Sequence, residues 1–328
     1  MALDFPDSPV DGQIFAGYTY NSAVGTWRAP SRETLSGLSD VSNIIRRGGS
    51  SLQYYSSGWQ GGFDYKIIDV IRVFGTTSAD VTQNFSIGDY PGATALHIQA
   101  QGGGGGGGGA AATSASNAVG GGGGGGEYSE LFIDLTNPNW VYDVSIAAGT
   151  NYSTQDRIPS SVLMTAGRGG AGGAAGAAGV DGNDSYFWFD DRTTDEAHWC
   201  GAEGGTNGTA GTSLATNRYA SGGLGGNNPA AGGGNFNITD VAVAGESGET
   251  VLVLGATTVN VAASGRGGMS KNSGGGAPVV INAAGGANGN AASGYGGGGS
   301  GGVNTGTQAT ARTGGAGSPG FVFVTVLG

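Results

Sequence analysis

From Gly167 a glycine falls at every third position, through Gly170, Gly173, Gly176 and Gly179 to Gly182. A period of three belongs neither to an α-helix nor to a strand; it is the turn of polyproline II. That helix makes no hydrogen bonds of its own, so within a folded domain its N–H and C=O groups have to pair with neighbouring chains. Neighbours come close enough only where side chains are missing. Two unbroken runs, Gly102 to Gly109 and Gly120 to Gly126, lack side chains altogether. The expectation is a sandwich of packed glycine helices that holds up variable loops.

In that geometry a run of eight glycines spans roughly 25 Å, at about 3.1 Å per residue. The connection from Ala110 to Val119 lets the two runs lie side by side. The period returns at Gly314, Gly317 and Gly320, but tracts 201–211, 222–234 and 285–302 keep it only in fragments. A flexible tether is the competing reading, since glycine loses more backbone entropy on ordering than any other residue. Against it, the tracts alternate with apolar β-type segments, and serine is sparse within the runs. Collagen is excluded: there are only 9 Pro beside 73 Gly, and none between Gly167 and Gly182.

Net charge is −11 and unevenly spread. Residues 1–79 hold seven acids and six bases, whereas 80–328 hold seventeen acids and seven bases. The glycine-rich part has no basic cluster to neutralise phosphates, which argues against nucleic acid. One cysteine, Cys200, excludes an intramolecular disulfide framework. The opening MALDFPDSP has neither a basic n-region nor an apolar h-region, so no signal peptide is expected. No apolar stretch is long enough to suggest membrane insertion.

Three regions are expected. Residues 1–29 form a small aromatic β-hairpin unit, with Ile14, Phe15, Tyr18, Tyr20 and Trp27 alternating with polar residues around a turn at Asn21 to Gly25. Residues 30–78 form a connector, in which 31–47 could hold a short helix interrupted by Gly37, and 64–74 is an apolar run suiting a strand or a coiled segment. Residues 79–328 form the glycine-rich domain. There, short β-type segments such as 93–101, 129–135, 140–149 and 320–328 precede or follow the tracts. In the last, Phe321, Phe323 and Thr325 alternate with Val322, Val324 and Val326, as in a strand buried between layers. The fold class is mainly β and irregular: a hairpin anchor, a connector, and polyglycine II helices with short strands.

Two stretches carry a resemblance. The opening FPDSPVDGQIFAGYTYNSAVGTWRA resembles the N-terminal segment of many tailed-phage fibre and virion structural proteins. The remainder, from ATALHIQAQGGGGGGGG through GGGGGGEYSELFIDL to GSPGFVFVTVLG, is similar to the glycine-rich domain of phage tail-fibre proteins and of receptor-binding adhesins at long-tail-fibre tips. The resemblance implies attachment to the particle through 1–29, with Phe5, Ile14, Phe15, Tyr18, Tyr20 and Trp27 as the contacting residues. It also implies loops that touch a host-surface glycan or outer-membrane protein, and a homotrimer on the virion, made in the host cytoplasm. A capsid decoration or head-fibre protein without a receptor role is the alternative, and an ice-binding polyglycine protein shares the period.

The richest side chains within the glycine region lie in SYFWFDDRTTDEAHWCGAE. Tyr186, Phe187, Trp188, Phe189 and Trp199 bracket Asp190, Asp191, Arg192 and His198. Rings stack on apolar surfaces while carboxylates and Arg hold fixed hydrogen bonds, a set suited to receptor contact. The competing reading is a small aromatic core that clamps an inserted loop. Asp190, Asp191, Asp195 and Glu196 lack the EF-hand spacing and its glycine, and His198 with Cys200 could complete a zinc site only with carboxylates. No metal, cofactor or catalytic residue is expected. Residues 151–160, with Tyr152, Asp156 and Arg157, and 215–223, with Arg218 and Tyr219, are further loop candidates.

Overall fold

The computed structural model describes residues 66–114, 116–136, 140–143, 156–159, 162–188, 199–212, 218–227, 240–253 and 261–328, with short strands at 14–15, 18–21 and 26–28. The chain divides into two compact units, Met1–Tyr65 and Lys66–Gly328. In the first, β1 (Ile14–Phe15), β2 (Tyr18–Asn21) and β3 (Thr26–Arg28) form an antiparallel sheet. Asn21 pairs with Thr26 across the expected turn, Tyr20 with Trp27 and Phe15 with Tyr18. Phe5 and the helix expected within 31–47 lie outside the described residues.

The second unit is mainly β, and its helical content among the described residues is one short 3-10 turn, Ile87–Asp89. A five-stranded antiparallel sheet combines β4 (Ile67–Phe74), β6 (Ala95–Gln101), β8 (Tyr128–Asp134), β15 (Val241–Val243) and β21 (Phe321–Leu327), in the order β15-β8-β6-β21-β4. A four-stranded sheet combines β5 (Val81–Phe85), β11 (Val162–Ala166), β12 (Ser185–Trp188) and β13 (Trp199–Ala202), in the order β13-β12-β11-β5. Alternation decides what lies between them. Leu96, Ile98, Leu131, Ile133, Val322, Val324 and Val326 point inward and meet Phe85, Val162, Met164 and Phe187 in one core. The strand β4 lies inside the stretch expected to be a connector, yet it pairs with β21 along its whole length, so the compact unit begins at Lys66. Smaller pairings join β9 (Trp140–Asp143) to β10 (Asp156–Pro159), β14 (Arg218–Ala220) to β16 (Val251–Val253), and β17 (Ala262–Ala263) to β18 (Val280–Ile281). Strands β19 (Gly285–Ala287) and β20 (Val303–Thr305) complete a sheet with β7 (Ala118–Val119).

Strands on both sheets continue directly into glycine tracts at one end of the sandwich. Gln101 is followed by Gly102, Ala166 by Gly167 and Ala202 by Glu203, while Glu127, Asp184 and Gly320 lead back into β8, β12 and β21. The tract 102–109 gives its N–H groups to three neighbours in rotation, at 2.8–2.9 Å. Gly102, Gly105 and Gly108 donate to Glu127, Gly124 and Gly121; Gly103, Gly106 and Gly109 to Asn183, Val180 and Ala177; Gly104 and Gly107 to Ser318 and Gly315. Its carbonyls accept from three others: Gly205, Gly208 and Gly211; Gly170 and Gly173; Gly299 and Gly302. Six tracts therefore surround it.

Tracts 120–127 and 296–302 are enclosed in the same manner, and all three are buried along their length. A Cβ at Gly105 would run into the Thr206 carbonyl, one at Gly106 into that of Ala171, one at Gly107 into that of Ser300, and one at Gly108 into that of Thr209. Each turn thus faces three neighbours. Where all three are present, glycine fills every position of 102–109, 120–126 and 296–302 but Ser300, whose buried hydroxyl accepts from Asn290 N–H.

The fragmentary period of the other tracts follows from the same rule. In 167–174, Gly169, Gly170, Gly172 and Gly173 abut other backbones, while Ala171 and Ala174 are exposed. In 177–183 only Gly179 and Gly182 face inward. The six-glycine period from Gly167 to Gly182 spans these two antiparallel tracts. Gly176 sits in the turn between them for another reason, a φ of 69°.

At the rim, N–H groups with no tract to bond find side-chain oxygens. Asp181 accepts from Asn207 N–H at 2.7 Å, Asp184 from Gly204 at 2.9 Å, Asp80 from Arg168 at 2.8 Å and Thr250 from Gly222 at 3.0 Å.

Candidate functional site

The stem of the aromatic loop is built by β12 and β13, which pair Ser185 with Ala202, Phe187 with Cys200 and Trp188 with Trp199. Ser185 adjoins the tracts, so Trp188 and Trp199 end the pair at the end of the sandwich away from them. Phe187 is fully buried and meets Phe85 with ring centroids 5.5 Å apart. It belongs to the core, as in the clamping reading of this stretch. Cys200 is equally buried, and burial pushes its thiol far above the ordinary range, so it has little thiolate to react with. Tyr186 is half-buried. Phe189, Asp190, Asp191, Arg192 and His198 lie outside the described residues, as does Tyr152. Asp156 and Arg157 stand on β10, paired parallel to β9.

The opposite end of the unit, where the tracts finish, is closed by the short strands around Val119 and Val303. There Tyr219 is 72% exposed and stands directly opposite Leu252, itself 63% exposed. Connections at this end are held by the tracts, those at the other end by the two sheets. An exposed tyrosine beside an exposed leucine is suited to a binding surface, because its ring offers contact area at small entropy cost and its hydroxyl offers a hydrogen bond.

A third group was not singled out in the sequence. On the outer face of the five-stranded sheet Glu130 gathers the Tyr128 hydroxyl, Lys271 Nζ at 3.0 Å, Gln99 Nε2 at 3.5 Å and His97 Nε2 at 3.7 Å. Lys271 also lies over the Tyr128 ring, 3.6 Å from its centre. The His97 imidazole, then Tyr128 and Lys271, hold the Glu130 carboxyl well below the usual carboxylate range against the opposing effect of burial. Burial, with the Glu130 carboxylate beside it, drives the Tyr128 phenol well above its ordinary value. Neither group exchanges protons near neutrality. The cluster fastens the turn that carries Lys271 to β6 and β8, and Asn272 adds a 3.0 Å bond to Gln101. Strand alternation places Tyr128 and Glu130 on one face, but only the fold brings Lys271 to them across 141 positions.

Among the described residues, no three His, Cys, Asp or Glu side chains gather as a metal site, and no helix is long and apolar enough to cross a membrane. The chain matches no protein-family model and no curated protein.

Proposed function

We propose that the chain is a subunit of a tailed-phage fibre or adhesin. Residues 1–29 are its virion anchor, the glycine tracts form a polyglycine II sandwich, and the loops at the far end of the tracts and at the far end of the β-sheets touch the host surface. The receptor is a cell-surface glycan or an outer-membrane protein, the subunit works as a homotrimer on the particle, and its mechanism is binding. The observation that carries the reading is the hydrogen-bond rotation of tract 102–109, which repeats every three residues among six neighbours. A lattice stabilised through backbone leaves the loops between its members free to vary in sequence, as recognition loops need.

The test is adsorption of particles to host cells. Because Phe187 and Cys200 are core residues, the change has to spare β12 and β13. Residues 190–197 are replaced by an Asn-Gly turn, and Tyr219→Ala is made at the other end. At least one of the two is expected to lower adsorption tenfold or more while particles assemble with their normal content of this chain. Unchanged adsorption in both would favour the decoration-protein reading, which predicts the chain on the capsid in electron micrographs.

A further inference from the structure

Among the described residues, β4 and β15 are the outermost strands of the five-stranded sheet, and nothing pairs with the outer side of either. Both carry exposed apolar side chains: Ile67 at 52%, Ile68 at 39% and Phe74 at 39% on one edge, Val241 at 40% and Val243 at 39% on the other. An uncovered edge is a row of free N–H and C=O groups ready for another strand, and soluble proteins ordinarily blunt it. Here β4 runs eight residues without a proline.

The two edges share their direction, and β15 is level with the last three residues of β4. Val243, Tyr128, Gln101, Phe321 and Phe74 form one row across the sheet, and Val241, Glu130, Gln99, Phe323 and Arg72 form the next but one. Both edge strands run toward the tracts, since Phe74 and Val243 share the row nearest to them. Copies standing side by side with tracts pointing the same way would bring β15 beside β4 as a parallel pair.

Charge names the occupant. Exposed Arg72 of β4 shares its row with Val241, next to exposed Asp240; Lys66 and Asp69 lie farther down the β4 edge, beyond the reach of β15. Two copies that each carry −11 repel over most of their surface, so a contact that sets a basic residue against an acidic one is favoured. We propose that copies of this chain join edge to edge, β15 of one against β4 of the next, continuing the sheet from subunit to subunit. The contact is heterologous, so it builds a ring if its rotation closes and a filament if it does not. This rests on the reading of the chain as one subunit of an assembly and adds the surface that joins the subunits.

The experiment is disulfide trapping in the full chain carrying both Phe74→Cys and Val243→Cys, with the buried Cys200 left in place. Within one copy the two positions are four strand spacings apart, about 19 Å, too far to bridge. Mild oxidation is expected to give multiples of the 31.9 kDa chain from the double variant. Either single variant alone should stay monomeric on a non-reducing gel, and the two mixed should give a dimer. Self-linking of a single variant would mean a contact of like with like and overturn the proposal, as would a double variant that does not link. Should the double variant fail to fold, Val241→Lys serves instead: mass by light scattering is expected to fall to that of one chain, and an unchanged mass overturns the proposal. Adsorption separates this from the receptor role, because linked copies with loop-independent adsorption would sink only the latter.

Discussion

A glycine in tract 102–109 differs from one at the rim by what a methyl group would meet. At Gly105 a Cβ lands on the Thr206 carbonyl, whose oxygen already accepts from Gly124 N–H. Backbone on both sides cannot yield as a flexible side chain would. Gly105→Ala is expected to cost about 3 kcal/mol or more, above the usual range for overpacking, whereas Ala171→Ser on an exposed rim position should stay within about 0.5 kcal/mol. Paired thermal melts would check both. Glu130 supplies a second contrast. Its folded-state pKa lies below the unfolded value of about 4.3, so its contribution is complete above that pH and is lost as pH falls through and below it. Glu130→Gln should therefore lower stability at neutral pH by about 1–3 kcal/mol and reduce the loss of stability below pH 4. A melting temperature that falls as steeply with acid in the variant as in the wild type would contradict this assignment. The glycine positions were legible in the sequence because a missing side chain is a local fact. The Glu130 cluster was not, because its cation arrives from a turn that only the lattice positions.

Tracts are told apart by how many of their three faces are packed. A face covered by another tract favours glycine, so the unbroken runs are enclosed members, together with 296–302 and its one buried Ser300, and the one-in-three pattern marks the rim. That rule accounts for the fragments at 222–226 and 314–320, where the period of three is real but two faces are filled. It also explains part of the acidity of residues 80–328. A rim tract has N–H groups with no tract opposite, and Asp181 and Asp184, three residues apart, answer Asn207 and Gly204, also three apart. These carboxylates act as short substitutes for a missing neighbour, a role that composition alone reads as solubility. Asp181→Ala is expected to cost about 0.5–1 kcal/mol and to speed amide exchange at Asn207, while Asp181→Asn keeps an acceptor and most of the protection. Equal exchange at Asn207 in Ala and Asn variants would show that charge, not the hydrogen bond, mattered. The extent of the aromatic loop was harder to read, since Phe187 and Cys200 alternate into a core whose other half, around Phe85 and Met164, is far away in sequence.

Sandwich and lattice share the same pieces of chain. The strand β6 becomes tract 102–109 without a break, tract 120–127 becomes β8, and 312–320 becomes β21. A tether would let the sandwich melt without consequence for the glycines; a bonded lattice continuous with core strands should open with it. Val324 is fully buried between the sheets, remote in sequence from the runs 102–109 and 120–126. Val324→Ala removes two buried carbons and is expected to cost about 2 kcal/mol. If the tracts open only in global unfolding, amide exchange at Gly105 to Gly108 should accelerate roughly thirtyfold in that variant, following the stability lost in the core. Unfolding by denaturant should remain one transition, with the same midpoint by aromatic fluorescence and by tract exchange. Exchange at those glycines that is already fast in the wild type, or that ignores the substitution, would mean that the lattice opens on its own and gives the loops no common support.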